Sequence, residues 1–219
     1  MDKLIGIVIS KRDNVSTGIN NAYITFFEQF GEVMFINPLV DRTFELDLLV
    51  LPGGADVLPF RYNEKPHRLT GKPNLDAEYF DMNTLPQYIA MGTPIVGICR
   101  GGQSLNVHFG GKLTQHHDYV TSSKSRAEAV DDLYITDYGT GLFNSIELNV
   151  GNYKVNSIHH QGWYYDQVAE GFNVMAIHKT ERNVEMMYNQ KLKILAVQYH
   201  PEEMNCQLVS NIITNLMLK

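Results

Sequence analysis

The sequence predicts an α/β fold with a central, mostly parallel sheet that is flanked by helices. Strand-length apolar runs alternate with helical stretches through the first two-thirds of the chain, as in βαβ units. The run at 47–51 is apolar almost throughout, which is typical of a parallel strand covered on both faces. In the last third, shorter strand signals follow one another closely, which indicates an antiparallel extension of the sheet.

The individual elements follow from the same patterns. Predicted strands occupy 4–9, 33–36, 47–51, 94–98, 133–135, 146–150, 172–177, 184–187 and 194–198. Predicted helices begin near residue 22, run from 76 to 91 with a break expected at Pro86, follow the strand at 94–98, and close the chain at 203–218. The stretches 57–74 and 114–128 lack periodicity and are predicted to be loops, and loops as long as the first are often functional lids.

Length and composition restrict the class of protein. The chain has 219 residues, which suits a single domain over 1–219, and its 44% hydrophobic content supplies a sizeable core. A net charge of −6 without a basic stripe argues against nucleic acid as a partner. No stretch reaches membrane-spanning length, and two cysteines without a targeting signal indicate a reduced, cytoplasmic protein.

The most informative motif is Gly-Ile-Cys-Arg-Gly at 97–101, which has the form of a nucleophile elbow between a strand and a helix. Such a turn exposes its central side chain, here Cys99, at the positive end of the helix dipole, which favours the reactive thiolate. A buried cysteine that only packs in the core is the alternative.

A cysteine nucleophile needs a base and a group that orients the base. His200 directly follows the predicted strand 194–198, so that it emerges at a sheet edge, and Glu202 is two residues further on. The carboxylate would select the tautomer of the imidazole and stabilise its charged form. A structural hydrogen bond at the end of a strand is the alternative for His200.

Backbone amides at a glycine turn can stabilise an oxyanion because no side chain blocks their approach. Gly53 and Gly54 follow the third predicted strand, and the amide of Arg100 follows the cysteine. Gly53, Gly54 and the amide of Arg100 are therefore candidates for an oxyanion hole, and the family resemblance described below implies one near Gly54 and Arg100. A turn that merely ends the strand is the alternative.

The segment 155–162 is dense in hydrogen-bonding groups and contains His159, His160 and Gln161. Substrate contact is one interpretation, and metal binding is another because His116 and His117 form a second pair. Adjacent histidines in an extended segment point to opposite sides, and no metal-binding spacing is present. The sequence therefore predicts neither a metal nor another cofactor.

Four segments together resemble the class I glutamine amidotransferase-like family: 51–57 with Pro59 and Tyr62, 97–106, 155–161 and 197–202. Within it the chain is most similar to the γ-glutamyl-γ-aminobutyrate hydrolase group. The resemblance implies a flavodoxin-like fold, with Cys99 as nucleophile, His200 as base and Glu202 as its orienting acid. It further implies that Gly53, Gln103 and the segment His159-His160-Gln161 bind the glutamyl moiety of a small-molecule substrate.

The resemblance implies hydrolysis of a γ-glutamyl amide through a thioester. A glutaminase subunit that supplies ammonia to a separate synthetase is the alternative, and a non-catalytic scaffold is a third reading.

The chain departs from the γ-glutamyl-γ-aminobutyrate hydrolase group in two ways. It is shorter than typical members, and it has Thr-Glu-Arg-Asn at 180–183 where an Asp-Gly turn is usual, so the identity of the leaving group stays open. The loop 57–74 contains groups that could meet an anionic leaving portion, namely Arg61, Tyr62, Lys65, His67 and Arg68, and a solvated surface loop is the alternative. Partners could be a second copy of the chain or a synthetase.

Overall fold

A computed structural model describes residues 3–13, 16–117, 130–135, 152–204 and 206–218. The strands are β1 (Leu4–Val8), β2 (Ser10–Asp13), β3 (Ser16–Gly18), β4 (Glu32–Ile36), β5 (Leu48–Leu51), β6 (Ile95–Ile98), β7 (Val130–Ile135), β8 (Asn152–Asn156), β9 (Asn173–His178), β10 (Val184–Asn189) and β11 (Ile194–Val197). The helices are α1 (Asn21–Phe27), α2 (Leu75–Tyr79), α3 (Leu85–Ala90), α4 (Arg100–His108) and α5 (Gln207–Leu216).

Nine of these strands form one sheet in the order β4-β1-β5-β6-β11-β10-β9-β7-β8. The five strands from β4 to β11 are parallel to their neighbours. From β11 outward, β10, β9, β7 and β8 pair antiparallel. The predicted mostly parallel sheet with an antiparallel extension is therefore confirmed. Strands β2 and β3 form a separate antiparallel hairpin.

Alternating side chains of the parallel strands enter two apolar layers. On one face, Leu48 and Val50 of β5 belong to a core shared with α1 and α5. On the other face, Leu49 and Leu51 belong to a core shared with α3 and α4. Both faces of the central strands are thus covered by helices, which explains why their sequences are continuous apolar runs rather than alternating patterns.

Two element boundaries differ from prediction. The predicted helix 76–91 is three consecutive helical segments, in which a wide turn at Phe80–Thr84 joins α2 to α3. Pro86 lies in the first turn of α3, where its missing N–H costs little. The closing helix begins at Gln207 instead of residue 203, because a short 3₁₀ turn at Pro201–Glu203 comes first.

Parts of the predicted loop 114–128 and the whole predicted strand 146–150 lie outside the described residues. Within the described part, no helix has both the length and the apolar character needed to cross a membrane. Parallel strands β5, β6 and β11 end at one edge of the sheet, and the Pro-Gly-Gly turn, Cys99 and His200 follow these ends. Ligands of open α/β sheets bind at such an edge.

Candidate active site

Cys99 lies at a sharp turn between β6 and α4, as the motif predicts. Its backbone has φ 51° and ψ −109°, a conformation that a residue with a side chain rarely adopts. The Cys99 N–H donates to the carbonyl of Val197 at 2.7 Å, and its own carbonyl accepts from the Gln103 N–H at 2.9 Å. The sheet and the helix thus hold this strained residue from both sides, which is typical of a site where strain serves function.

Close packing explains why the last residue of the elbow motif, Gly101, is a glycine. A Cβ on Gly101 would collide with the carbonyl oxygen of Leu51 at the end of β5. Only glycine therefore lets α4 approach the neighbouring strand this closely. The close approach brings the N-terminus of α4 next to the glycine turn that follows β5.

His200, Glu202 and Cys99 converge at this edge. The Nδ1 atom of His200 is 2.7 Å from Oε1 of Glu202, and both side chains are buried. A Cβ placed on Gly53 would lie 2.7 Å from Cε1 of His200 and 3.4 Å from Cβ of Cys99. Because Nδ1 is engaged by Glu202, Nε2 is the ring nitrogen left for chemistry at Cys99.

The electrostatics of the site favour a charged imidazole. Burial alone would lower the pKa of His200, but its interactions with Cys99, followed by those with Glu202, raise it from 6.5 to about 10. The charged imidazole of His200 is thus stabilised by its interactions with Cys99 and Glu202 in this low-dielectric setting. A cysteine beside a charged imidazole offers the nucleophile and the proton donor that acyl transfer requires.

The backbone of His200 is fixed by Asn156 at the end of β8. Asn156 Oδ1 accepts from the His200 N–H at 2.7 Å, and Asn156 Nδ2 donates to the His200 carbonyl at 2.9 Å. Pro201 then turns the chain so that Glu202 faces back to the imidazole. Asn156 belongs to the polar segment noted in the sequence, but only the fold reveals this contact.

The glycine turn contains a second contact that the sequence did not predict. The Gly53 N–H donates to the hydroxyl of Tyr23 at 2.8 Å, so this amide is occupied, whereas Gly54 is exposed at the turn. Burial, together with the nearby negative charges of Glu202 and Cys99, raises the pKa of the Tyr23 hydroxyl. Tyr23 therefore connects α1 to the glycine turn and the acid.

The predicted glutamyl-binding residues lie together but differ in accessibility. Gln103 is buried and its Nε2 donates to the Gln161 carbonyl at 3.0 Å and to Gln198 Oε1 at 3.2 Å. His159 is also buried, with Nδ1 2.9 Å from the same carbonyl and Nε2 4.0 Å from Glu185 Oε1. These contacts connect α4 to the segment around residue 161.

Gln161 and His160, two further members of that segment, differ in their contacts. The side chain of Gln161 is buried, and neither its Nε2 nor its Oε1 has a hydrogen-bond partner among the described residues. His160 is half-buried and its Nε2 is 3.0 Å from Oδ1 of Asp56. The hydrogen bond with Asp56 outweighs burial and raises the pKa of His160.

The hypothesis that Arg61 and Tyr62 face an anionic leaving group is wrong, because both are buried. Arg61 Nη1 lies 2.9 Å from Asp81 Oδ2 and 3.2 Å from Glu78 Oε2. The Arg100 guanidinium completes this ionic cluster, 2.6 Å from Asp81 and 2.7 Å from Glu78. A buried arginine needs such compensation. Lys65, His67 and Arg68 are exposed, as that hypothesis requires.

One set of potential metal ligands overlaps the site. Atoms of His200, Glu202 and Glu203 lie within 4.8 Å of one another. Chelation by Nδ1 of His200 would break its hydrogen bond with Glu202, and Nε2 is the nitrogen that faces the chemistry at Cys99. The carboxylate–imidazole pair accounts for this grouping without an ion.

Comparisons with known proteins agree with this architecture. The glutamine amidotransferase-like protein YvdE of Lactococcus lactis subsp. lactis is 33% identical over 190 residues, which cover 83% of this chain and 79% of that protein. A GMP synthase (glutamine-hydrolyzing) of Anaplasma marginale is 26% identical over 179 residues, 81% of this chain and 29% of that protein.

Solved structures show the same fold. A glutamine amidotransferase from Thermotoga maritima has a TM-score of 0.67 at 10% identity, and PurLQS from the same organism has a TM-score of 0.66 at 19% identity. Each match covers the whole of both chains. Fold, site and relatives together define a class I glutamine amidotransferase-like protein. Within that class the chain belongs to the Peptidase C26 family, whose model matches residues 10–202.

Proposed function

We propose that this protein is a cysteine-dependent hydrolase that cleaves the γ-glutamyl amide bond of a small-molecule conjugate to give glutamate and a free amine. The observation that carries the proposal is the convergence of Cys99, at a strained elbow, with the hydrogen-bonded pair of His200 and Glu202. Family membership supports a hydrolase of this general kind. The roles of the individual residues are part of the proposal.

Acylation begins when the Cys99 thiolate attacks the γ-carbonyl carbon and forms a C–S bond. The amides of Gly54 and Arg100 stabilise the oxyanion, because Gly54 is exposed at the turn and Arg100 provides the first N–H of α4. Collapse of the tetrahedral intermediate breaks the C–N bond. His200 gives its Nε2 proton to the departing amine, and a γ-glutamyl thioester remains on Cys99.

Deacylation reverses the role of His200. The neutral imidazole takes a proton from water, and the resulting hydroxide attacks the thioester carbon. The C–S bond then breaks, glutamate leaves, and the thiolate–imidazolium pair is restored. Glu202 accepts the Nδ1–H throughout, so that Nε2 stays directed at the reacting groups.

The substrate's amino acid end would lie against the segment around Gln161. Its buried side-chain amide has both a donor and an acceptor to offer, and these match an α-carboxylate and an α-ammonium group. Gly53 is also part of the surface, or wall, that would bind the substrate. A larger residue at this position would collide with the ring of His200. Gln103 and His159 fix the wall through their contacts with the Gln161 carbonyl.

The test is glutamate release by the wild type and by Cys99→Ala, with Cys206→Ala as the matched control. Cys206 is a suitable control because burial raises the pKa of its thiol. The panel contains L-glutamine, γ-glutamyl-γ-aminobutyrate, γ-glutamylputrescine and phosphate-bearing γ-glutamyl amides. We expect cleavage of one conjugate, at least about a thousandfold slower in Cys99→Ala and unchanged in Cys206→Ala. Near-normal turnover by Cys99→Ala contradicts covalent catalysis.

A glutaminase subunit is the second candidate, and the relationship to glutamine-hydrolyzing GMP synthase favours it. In that case a separate synthetase is the partner, and glutamine is preferred over every conjugate. Hydrolysis that stays low until a cell extract is added supports this candidate.

For the hydrolase we propose a single domain over 1–219, which acts in the cytoplasm alone or as a homodimer without a cofactor.

A further inference from the structure

Two histidines that are far apart in sequence face each other beside the glycine turn. Nδ1 of His116 and Nδ1 of His160 are 3.2 Å apart, and the rings are inclined by 54°. Two imidazole nitrogens on a tetrahedral metal ion, at bond lengths of about 2.0–2.1 Å, lie about 3.3 Å from each other. The observed separation therefore matches one edge of such a coordination shell.

The pairing joins one histidine from each of the two pairs in the sequence. Adjacent histidines cannot chelate together, but the fold brings His116 of one pair against His160 of the other. Backbone hydrogen bonds hold the two segments in register, with Thr114 and Gly162 exchanging both of theirs and the His117 N–H donating to the His160 carbonyl at 2.8 Å. The two ring nitrogens are thus preorganised by the backbone.

A metal-binding histidine usually donates a hydrogen bond from its other ring nitrogen, often to a carboxylate, and Asp56 is placed to accept that bond from His160. Its Oδ1 is 3.0 Å from Nε2 of His160, and its Oδ2 accepts from the Gly71 N–H at 2.6 Å. A carboxylate fixed in this way makes Nε2 of His160 the protonated nitrogen, which leaves Nδ1 as the lone-pair donor. That nitrogen is the one that faces His116.

We infer that His116 and His160 bind a divalent transition-metal cation such as Zn²⁺ or Co²⁺ through their Nδ1 atoms, with Asp56 orienting His160. Imidazole nitrogen suits such ions better than Mg²⁺ or Ca²⁺. The side chain of His160 is 28% exposed, so water can complete the coordination shell. The bound ion would cross-link the segments that contain residues 116 and 160, beside the turn that carries Gly54.

The experiment is a Co²⁺ titration of the full chain without a histidine tag, followed by the visible d–d absorption and by calorimetry. It is done in the Cys99→Ala background, which removes the Cys99 thiol as a competing ligand, while the grouping of His200, Glu202 and Glu203 stays the same in every protein compared. We expect one bound ion, an affinity at least about tenfold lower in His116→Ala or His160→Ala, and a loss of about 10–100-fold in Asp56→Asn. His178→Ala, a histidine on β9, is the matched control and is expected to bind as the parent does.

Thermal unfolding provides the second readout, because an ion that binds only the folded chain raises the Tm. The Tm of the parent should rise with Zn²⁺ but not with Mg²⁺, and the double variant His116→Ala/His160→Ala should not respond to either ion. Equal binding by the parent and the double variant, or no binding by the parent, would mean a hydrogen-bonded histidine pair only and would overturn the inference. Since no readout uses turnover, this result does not depend on the proposed function.

Discussion

Asn156 at the end of β8 holds both backbone polar groups of His200, accepting its N–H at 2.7 Å and donating to its carbonyl at 2.9 Å. This double contact crosses from the antiparallel extension to the parallel core of the sheet. His200 lies beyond the end of β11, where its carbonyl also accepts from the Glu203 N–H at 3.2 Å. Asn156 therefore helps to fix the backbone from which the imidazole extends.

Replacing Asn156 with alanine should lower kcat much more than it changes KM, because the imidazole loses its position while the substrate wall remains. Each lost hydrogen bond also removes about 1 kcal/mol of stability. Asn156→Asp keeps the acceptor for the His200 N–H and should recover part of kcat. Steady-state kinetics and urea unfolding of the two variants measure these effects.

Asn83→Ala is the matched control for this prediction. Its Nδ2 donates to the Tyr79 carbonyl at 2.8 Å on an exposed helical segment, so it also loses a side chain–backbone bond. We expect its kcat to equal that of the wild type. Equal kcat values in Asn156→Ala and the wild type would show that His200 keeps its position without this contact.

The sequence predicted the parallel core because long apolar strands and glycine turns are local signals. It also predicted the neighbourhood of Cys99, His200 and Glu202, because each directly follows a predicted parallel strand or the turn after it, and such ends meet at one edge. The spacing of His200 and Glu202 allowed a contact between them, which the family resemblance implied and which is 2.7 Å long in the structure.

Contacts between distant segments were not predictable in this way. The contact of Tyr23 is one example, because a sequence pattern describes the apolar ring and not the hydroxyl, which reaches Gly53 across 30 positions. Arg61 looked like an exposed loop cation, but its partners Glu78 and Asp81 lie on a later helical segment. A buried ion pair is recognisable only when both charges are placed in space.

The protonation of His200 gives a pH-dependent prediction. Its pKa is raised to about 10 in the folded chain, so the extra stability is present below its ordinary value of 6.5 and is lost as the pH rises from there through about 10. Cys99→Ala removes the largest cause of the increase. We therefore expect a lower His200 pKa in Cys99→Ala, measured by NMR titration of the imidazole signals.

Unfolding experiments test the same linkage. The free energy of unfolding should fall more steeply between pH 7 and pH 10 in the wild type than in Cys99→Ala, because only the wild type loses the ion pair in this range. Cys206→Ala should follow the wild type. Identical pH profiles for the wild type and Cys99→Ala would contradict a thiolate–imidazolium pair.

Tyr23→Phe tests the contact at the glycine turn. It removes the acceptor of the Gly53 N–H, and an unsatisfied buried amide costs about 1–3 kcal/mol. The turn that carries Gly54 then loses its anchor to α1, so we expect a lower kcat with a smaller change in KM. Kinetics and urea unfolding separate the effect on catalysis from the effect on stability.

Tyr88→Phe is the matched control because the hydroxyl of buried Tyr88 also accepts a backbone N–H, that of Phe44, at 3.3 Å. It should lower stability and leave kcat unchanged. If both variants lose stability but neither loses kcat, the Tyr23 hydroxyl supports only the fold.

The buried ionic cluster behind the elbow gives the largest expected effect on stability. Asp81 Oδ2 accepts from Arg61, from Arg100 and, at 2.6 Å, from the hydroxyl of Ser104, while Glu78 supplies the second negative charge that the described residues place in the cluster. The two acids balance the two arginines. Asp81→Asn leaves two buried guanidinium groups to share one carboxylate, which should destabilise the fold by about 3–5 kcal/mol.

Exposed Asp41, which accepts a hydrogen bond from Gln87 at 3.4 Å, is the control, and Asp41→Asn should change stability by no more than about 0.5 kcal/mol. A second substitution distinguishes charge imbalance from lost packing. In Arg61→Met/Asp81→Asn the cluster again has one arginine and one acid, so the double variant should be more stable than the sum of the two single effects predicts. Urea unfolding of the four proteins measures this coupling. Strict additivity of the two effects on the free energy of unfolding would mean that Arg61 and Asp81 do not stabilise each other.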